Sequence, residues 1–380
     1  MRTLTLSKYN RDGQCNRASC GFRSPPDTPG VWPWAYQCER SRYLEGTDAV
    51  LKRWSAAVLG SVLLVSTLSA CGGENASDSS SPGAAKGDGK ITMGFAQVGA
   101  ESGWRTANTK SIQDAATAAG IDLKFSDAQQ KQENQIKAIR SYIAQKVDVI
   151  AFSPVVESGW DTVLKEAKDA KIPVILTDRA VDSKDTTLYK TFLGSDFVVE
   201  GKKAGDWLVK EYQGKTDPVN IVELQGTTGS APANDRKSGF ADAIKAAPNM
   251  KIIASQTGDF TRAKGKEVME AFLKANPKID VLYAHNDDMA LGAIEAIEAA
   301  GKKPGTDIKI ISVDAVKDGM TALAAGKINH IVECSPLLGP QLMDLAKKVV
   351  KGETVEPRIL TVETEFTPEQ AKAALPDRKY

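Results

Sequence analysis

VLYAHNDDMALGAI, residues Val281–Ile294, changes its period partway along. The unbroken apolar run Val281 to Ala284 gives way to the polar group His285-Asn286-Asp287-Asp288. Met289 and Ala293 then begin a helical stripe that continues to Ile297. A short strand with no polar face, a turn and an amphipathic helix make a βα unit. A strand of that kind is one covered on both sides. The two acids at the helix start suit the partial positive charge there.

The same alternation extends outward from Ile91 onward. The predicted strands on the N-terminal side are Ile91 to Phe95, Val147 to Phe152 and Val174 to Leu176; on the other side they are Val219 to Leu224, Ile252 to Ser255, Val281 to Ala284 and Ile308 to Val313. Ile136, Ile139 and Ile143 face one sheet together, and Ala246-Ala247-Pro248-Asn249 and Asn276-Pro277 read as helix ends. Strands alternating with helical stretches predict an α/β protein with parallel sheets. Two series meet near Ser195, which predicts two Rossmann-like lobes. In such sheets ligands bind beyond the carboxyl ends of the strands.

Polar and aromatic groups recur at those ends. Gln97 to Arg105 (QVGAESGWR) brings Trp104 and Arg105, an apolar face for ring C–H groups and a forked donor for hydroxyls. Thr177-Asp178-Arg179 adds an acceptor beside a donor. The second series supplies Gln225-Gly226-Thr227 and then Arg236, expected to open a helix; it continues with Gly258-Asp259-Phe260, His285-Asn286-Asp287-Asp288 and Asp314. Structural roles compete for each residue: a Trp can simply cover a lobe, and Asp178 and Arg179 can pair with neighbouring charges. Recurrence on both series is what points to a binding cleft.

Residues 54–70 (WSAAVLGSVLLVSTLSA) follow Lys52-Arg53 and end in small residues before Cys71, the pattern of a secretory signal peptide. Leu68-Ser69-Ala70-Cys71 resembles a bacterial lipobox, which makes Cys71 the expected lipidation site and membrane anchor. The Gly/Ser/Ala/Asp tract after it, to residue 89, is expected to be a tether. Residues 1–50 precede the signal without apolar periodicity and are expected to be an upstream extension, with initiation at Val50 or Leu51. The body of the chain carries Cys334 alone, so it builds no disulfide framework there. Cys334 is read as a small buried apolar side chain. A formal net charge of +1 gives no electrostatic preference for nucleic acid.

The stretches QVGAESGWRTA, QQKQENQIKAIRSYIAQ, PVVESGW, VVELQGTTG, DRKSGFA, GDFTRAKGKEVMEAF and YAHNDDMALGAI resemble the periplasmic sugar-binding proteins of ribose and galactose type, and among them the galactofuranose-binding members. The resemblance covers residues 90–370. It implies a three-crossover hinge near Ser195, Glu333 and Leu360, dividing the body into 90–195 with 334–360 and 196–333 with 361–380. It implies ligand contacts at Trp104, Arg105, Asp178, Arg179, Arg236, Phe260, Asn286 and Asp314, and, from the resemblance alone, Glu333. It further implies a monosaccharide ligand, no cofactor, a monomer anchored on the outer face of the cell membrane, and a partner ABC importer, permease and ATPase together. The D-x-[DN]-x-[DN]-G calcium loop is absent, so no metal is expected.

Three other functions compete. Asp287, Asp288, Asp178 and Glu333 could be drawn as the acid pair of a glycosidase, but no nucleophile-base pair is visible and His285 and His330 have no obvious partner. A sugar-responsive repressor would need a DNA-binding headpiece in place of the signal peptide. A receptor feeding chemotaxis or a two-component sensor stays open.

Overall fold

The computed structural model describes residues 89–380. The extension 1–50, the signal run, Cys71 and the tether as far as Asp88 lie outside the described residues.

The first lobe contains β1 (Thr92–Gln97), α1 (Gly103–Ala119), β2 (Asp122–Asp127), α2 (Gln132–Ala144), β3 (Val149–Phe152), α3 (Asp161–Asp169), β4 (Val174–Thr177) and β5 (Thr191–Gly194). The chain then builds the second lobe from α4 (Phe197–Glu211), β6 (Val219–Gln225), α5 (Ala231–Ile244), β7 (Met250–Thr257), α6 (Arg262–Ala275), β8 (Val281–Ala284), α7 (Asp287–Ala299), β9 (Lys309–Asp314), α8 (Lys317–Ala324) and β10 (His330–Glu333). It returns to the first lobe for α9 (Gly339–Val350) and β11 (Arg358–Leu360), and ends in the second with β12 (Glu365–Phe366) and α10 (Pro368–Ala374). The sheet orders are β11-β5-β4-β3-β1-β2 and β12-β10-β9-β8-β6-β7. Pairing is parallel throughout except between β10 and β12. The expected fold, two parallel-sheet lobes joined by three crossovers, is the one observed. The crossings follow Gly194, Glu333 and Leu360.

Each sheet is covered on both faces. In β3, Ile150 packs with Ile139, Phe152 and Leu164 on one side, while its neighbour Val149 packs with Phe95, Ile112 and Leu342 on the other. In β8, Leu282 and Tyr283 likewise enter opposite cores. Successive strand side chains point to opposite faces, so a strand buried on both faces has to be apolar at every position.

Five strands escaped the sequence pattern: β2, β5, β10, β11 and β12. β2 is an edge strand whose Leu123 and Phe125 alternate with Lys124 and Ser126, and it stays half-buried. β11 and β12 are only three and two residues long. Arg236 does not open its helix either; it stands in the second turn of α5, because Pro232 near the start begins the helix at Ala231.

Candidate ligand-binding site

A small cavity lies between the lobes, lined from the first by Glu101, Ser102, Trp104, Arg105, Asp178 and Arg179, and from the second by Phe197, Pro232, Arg236, Phe260, Asn286 and Asp314. Cys334, on the second crossover, completes it.

The first-lobe wall is set by the start of α1. Ser102 caps the helix by accepting from the Arg105 amide at 3.1 Å. That places Trp104, whose Nε1 donates to the Cys334 carbonyl at 2.7 Å, and Arg105, whose guanidinium carbon lies 4.7 Å from the centre of the Trp104 ring. Arg105 Nη2 meets Asp178 Oδ2 at 2.8 Å and its Nε meets Glu101 Oε1 at 3.1 Å. Burial opposes the Arg105 charge, but Asp178 and Glu101 more than offset it and hold it protonated. Arg179, beside the same acids, is pushed down to about 10 by burial and by repulsion from Arg105. Glu101 Oε2 and Arg179 Nε are buried without a hydrogen-bond partner. An unpaired buried acceptor and donor are costly, and a polyhydroxy ligand satisfies both.

The second wall centres on Arg236. Its Nε donates to Glu200 Oε2 at 2.7 Å, its Nη1 to the His285 carbonyl at 2.5 Å, and its Nη2 lies 3.8 Å from Asp314. Gly201 lets α4 approach closely enough for this, since a Cβ there would sit 2.1 Å from the Arg236 carbonyl oxygen. Asn286 caps α7 by accepting from the Met289 amide and donates from Nδ2 to the Phe260 carbonyl at 3.1 Å. Phe260 occupies the space above Gly226, where a Cβ would stand 1.9 Å from its ring. Asp178, Phe260 and Asp314 all have positive φ (63°, 61° and 116°). Backbone strain of that kind collects at ligand clamps. Burial pushes the Asp314 carboxyl well above its ordinary range; Arg236 opposes this and Asp287 adds to it.

The lobes also touch beside the pocket. Gly103 N, at the start of α1, donates to Asp288 Oδ2 at 2.8 Å, a carboxylate held at the positive end of a helix from the other lobe. Glu157 N donates to the Gly229 carbonyl at 2.9 Å, Asn234 Nδ2 donates to Glu157 Oε2 at 2.5 Å, and the Arg179 guanidinium lies 5.2 Å from the centre of the Phe260 ring.

Eight of the nine expected contact residues therefore share one cavity. Glu333 is the exception and corrects the expectation. Its Oε1 accepts from Arg378 Nη1 at 2.8 Å and from the Tyr380 hydroxyl at 2.9 Å, and its Oε2 from Thr364 N at 3.0 Å. Along an extended chain, adjacent side chains alternate in direction; Cys334 faces the cleft and Glu333 turns toward the C-terminus. Sequence reasoning did not single out Glu101, Ser102, Phe197 or Pro232. The i,i+4 spacing of Glu101 and Arg105 was the available signal for the first. Neither histidine is partnerless: His285 meets Glu223, and His330 meets Glu365, each at 3.1 Å.

Three of the four acids drawn as a glycosidase pair are engaged in other contacts. Asp287 is buried, accepting from Ser312 Oγ at 2.6 Å and from Val316 N at 2.8 Å. Asp288 is taken by Gly103, Glu333 by Arg378. Among the described residues, Glu200, Cys334 and Glu363 bring donor atoms within 4.8 Å of one another. Arg236 already holds Glu200, while Ser195, Thr361 and Ser335 hold Glu363. That set does not suit a cation.

A model of the periplasmic binding protein domain matches residues 93–354. The galactofuranose-binding protein YtfQ of Escherichia coli (strain K12) is 54% identical over 293 residues, 76% of this chain and 92% of that protein. A solved structure from Mycobacterium smegmatis in complex with β-D-fucofuranose is 68% identical, with a TM-score of 0.75, over 76% of this chain and 95% of that one. The binding component of the arabinose ABC transporter of Shewanella sp. ANA-3, bound to α- and β-L-arabinofuranose, is 52% identical, with a TM-score of 0.73, over 76% and 96%. With two parallel-sheet lobes, a cleft at their strand ends and these matches across most of its length, the chain belongs to the periplasmic binding protein family.

Proposed function

We propose that this protein is an extracytoplasmic binding protein that captures one monosaccharide in furanose form by hinge closure and delivers it to an ABC importer. The observation that carries the reading is a pocket whose two walls each pair guanidinium with carboxylate and each offer an aromatic ring, Trp104 from one lobe and Phe260 from the other. Sugars present hydroxyls that accept and donate around an apolar face, and this set meets both needs. The furanose form is inferred from relatives crystallised with fucofuranose and arabinofuranose.

Closure follows from which lobe supplies what. Arg105, Asp178 and Arg179 belong to one lobe and Arg236, Asn286 and Asp314 to the other, so a bound sugar gains its full set of bonds only when the lobes meet, and it shifts the population toward that state. Hydrogen bonds to charged groups contribute about 1.5 to 3 kcal/mol each. A few of them, less the ordering cost, correspond to about 8 kcal/mol, or micromolar affinity.

Asp178, Glu101 and Asp314 serve here as hydrogen-bond partners, not as acid catalysts. No helix among the described residues is long and apolar enough to cross a membrane; attachment is assigned to a diacylated Cys71 and its tether. The body acts as a monomer that presents both lobe surfaces to a permease. A thermal-shift panel of monosaccharides tests the reading, because a ligand bound only by the folded state raises its melting temperature. Galactose, fucose and arabinose are expected to raise it; a flat profile across pentoses and hexoses overturns the proposal. Loss of uptake of the same sugar in a deletion strain tests delivery.

A further inference from the structure

Behind the pocket, all three crossovers converge on one carboxylate. Glu363, on the third, accepts through Oε1 from the Ser195 hydroxyl on the first, from Ser335 N on the second at 3.2 Å, and from Thr361 Oγ1 at 2.8 Å. Ser195 Oγ also lies 3.4 Å from Cys334 Sγ. Glu200 approaches this node from α4, with a carboxylate oxygen within 4.8 Å of the Cys334 sulfur and the nearest Glu363 oxygen. Glu200 is 1% exposed. Its Oε2 accepts from Arg236, and its Oε1 is buried without a partner.

We propose that Glu200 is a positioning residue for ligand capture, bracing Arg236 from behind with one carboxyl oxygen and joining the hinge node of Cys334 and Glu363 with the other. The inference rests on the sugar-binding reading above and names what makes Arg236 depend on the hinge. The charged and titratable groups facing Glu200 and its node are Arg236 on α5, Cys334 and Glu363 on the crossovers, Asp314 at the end of β9, Tyr283 on β8, and Lys203 on α4, which donates to the Glu363 carbonyl at 3.3 Å. Arg236 is set against Glu200, Glu363 and Asp314, an excess of acid that favours a proton on the buried Glu200. A protonated Glu200 leaves Oε2 to accept from Arg236 and makes Oε1, unpartnered as an acceptor, a donor available to the node. Burial, with Glu363 adding to it, supports this by raising Glu200 to about 8 despite Arg236. Ionisation would place a second anion beside Glu363 and loosen both the brace and the closed hinge.

Calorimetric titration with D-galactose, D-fucose and L-arabinose from about pH 6 to pH 9 tests this, using the purified protein and its Glu200→Gln and Glu200→Ala variants. Gln reproduces the protonated acid, one acceptor and one donor. Glu200→Gln is expected to bind within about threefold of the unmodified protein at neutral pH, and Glu200→Ala to lose about tenfold or more. The unmodified protein should weaken above about pH 8, and Glu200→Gln should not. Equal affinity for Glu200→Ala, or an unchanged pH dependence in Glu200→Gln, overturns the inference while leaving sugar binding intact. If Glu200→Ala does not fold, the pH profile of Glu200→Gln decides. If the unmodified protein binds none of the sugars, the functional reading falls and this inference with it.

Discussion

Replacing Asp178 with Asn removes one charge from the pocket and almost no volume. Asn also tolerates the positive φ at this position, so the effect is electrostatic. Asp178 Oδ2 now meets Arg105 Nη2 at 2.8 Å, accepts from Ser153 Oγ at 2.8 Å and lies 3.7 Å from Arg179 Nε. Without it, two buried guanidiniums share Glu101 alone. Breaking a buried pair by removing one partner costs about 3 to 5 kcal/mol. The retained amide oxygen keeps part of the hydrogen bonding, so about 3 kcal/mol is expected. For a body of this size, about 2 °C per kcal/mol puts the melting temperature some 6 °C lower. Sugar affinity should fall by about tenfold or more, since one charge-assisted bond of about 1.5 kcal/mol is worth that factor. Differential scanning calorimetry reads the first effect and isothermal titration the second. A variant that melts with the unmodified protein and binds sugar equally well would refute the assignment of Asp178 to a charged, ligand-facing wall.

Other outcomes follow from the same geometry. Gly226→Val should push the Phe260 ring out of the cavity and weaken sugar binding by about tenfold, with overpacking of about 1 to 3 kcal/mol in stability; titration and melting read both. Glu333→Gln should leave affinity within about twofold while lowering the melting temperature, because it loosens Arg378 and Tyr380 and not the ligand. Stability should also decline as pH rises from about 6.5 to 8, above the range in which the buried neutral His285 and His330 contribute the opposite slope. Burial, the largest cause, raises the folded carboxyls of Glu200 to about 8, Asp287 to about 7 and Asp235 to about 6, so the folded state holds protons that the unfolded chain releases. Glu200→Gln removes part of that slope in melting curves across the range.

The fold was legible where burial on both sheet faces forced continuous apolar runs, as in Val149–Phe152, Val174–Thr177 and Val281–Ala284. It was hidden at the sheet margins. The β2 residues Asp122–Asp127 need only one apolar face, and β11 and β12 are held by neighbours and not by any pattern of their own. The site was legible because α/β sheets gather ligand groups at strand ends, where Asp178, Phe260, Asn286 and Asp314 stand. Phe197 and Cys334 were not, since one opens α4 just after the first crossover and the other lies on the second, where no local periodicity records the path of the chain. Glu333 was misplaced because a resemblance transfers position but not the direction of a side chain. Glu200 looks in sequence like any helical acid. Only the close approach of α4 to α5 across Gly201 puts it against Arg236.

Closure of the lobes on one furanose ring leaves a direct signature in the bound sugar. Nuclear magnetic resonance of D-galactose labelled at its anomeric carbon, titrated with the purified protein, tests it directly. A bound signal at the furanose position, saturating at one sugar per protein and lost in Arg236→Ala, is the predicted result. A bound signal only at the pyranose position, or no saturable binding of galactose, fucose or arabinose, would contradict it.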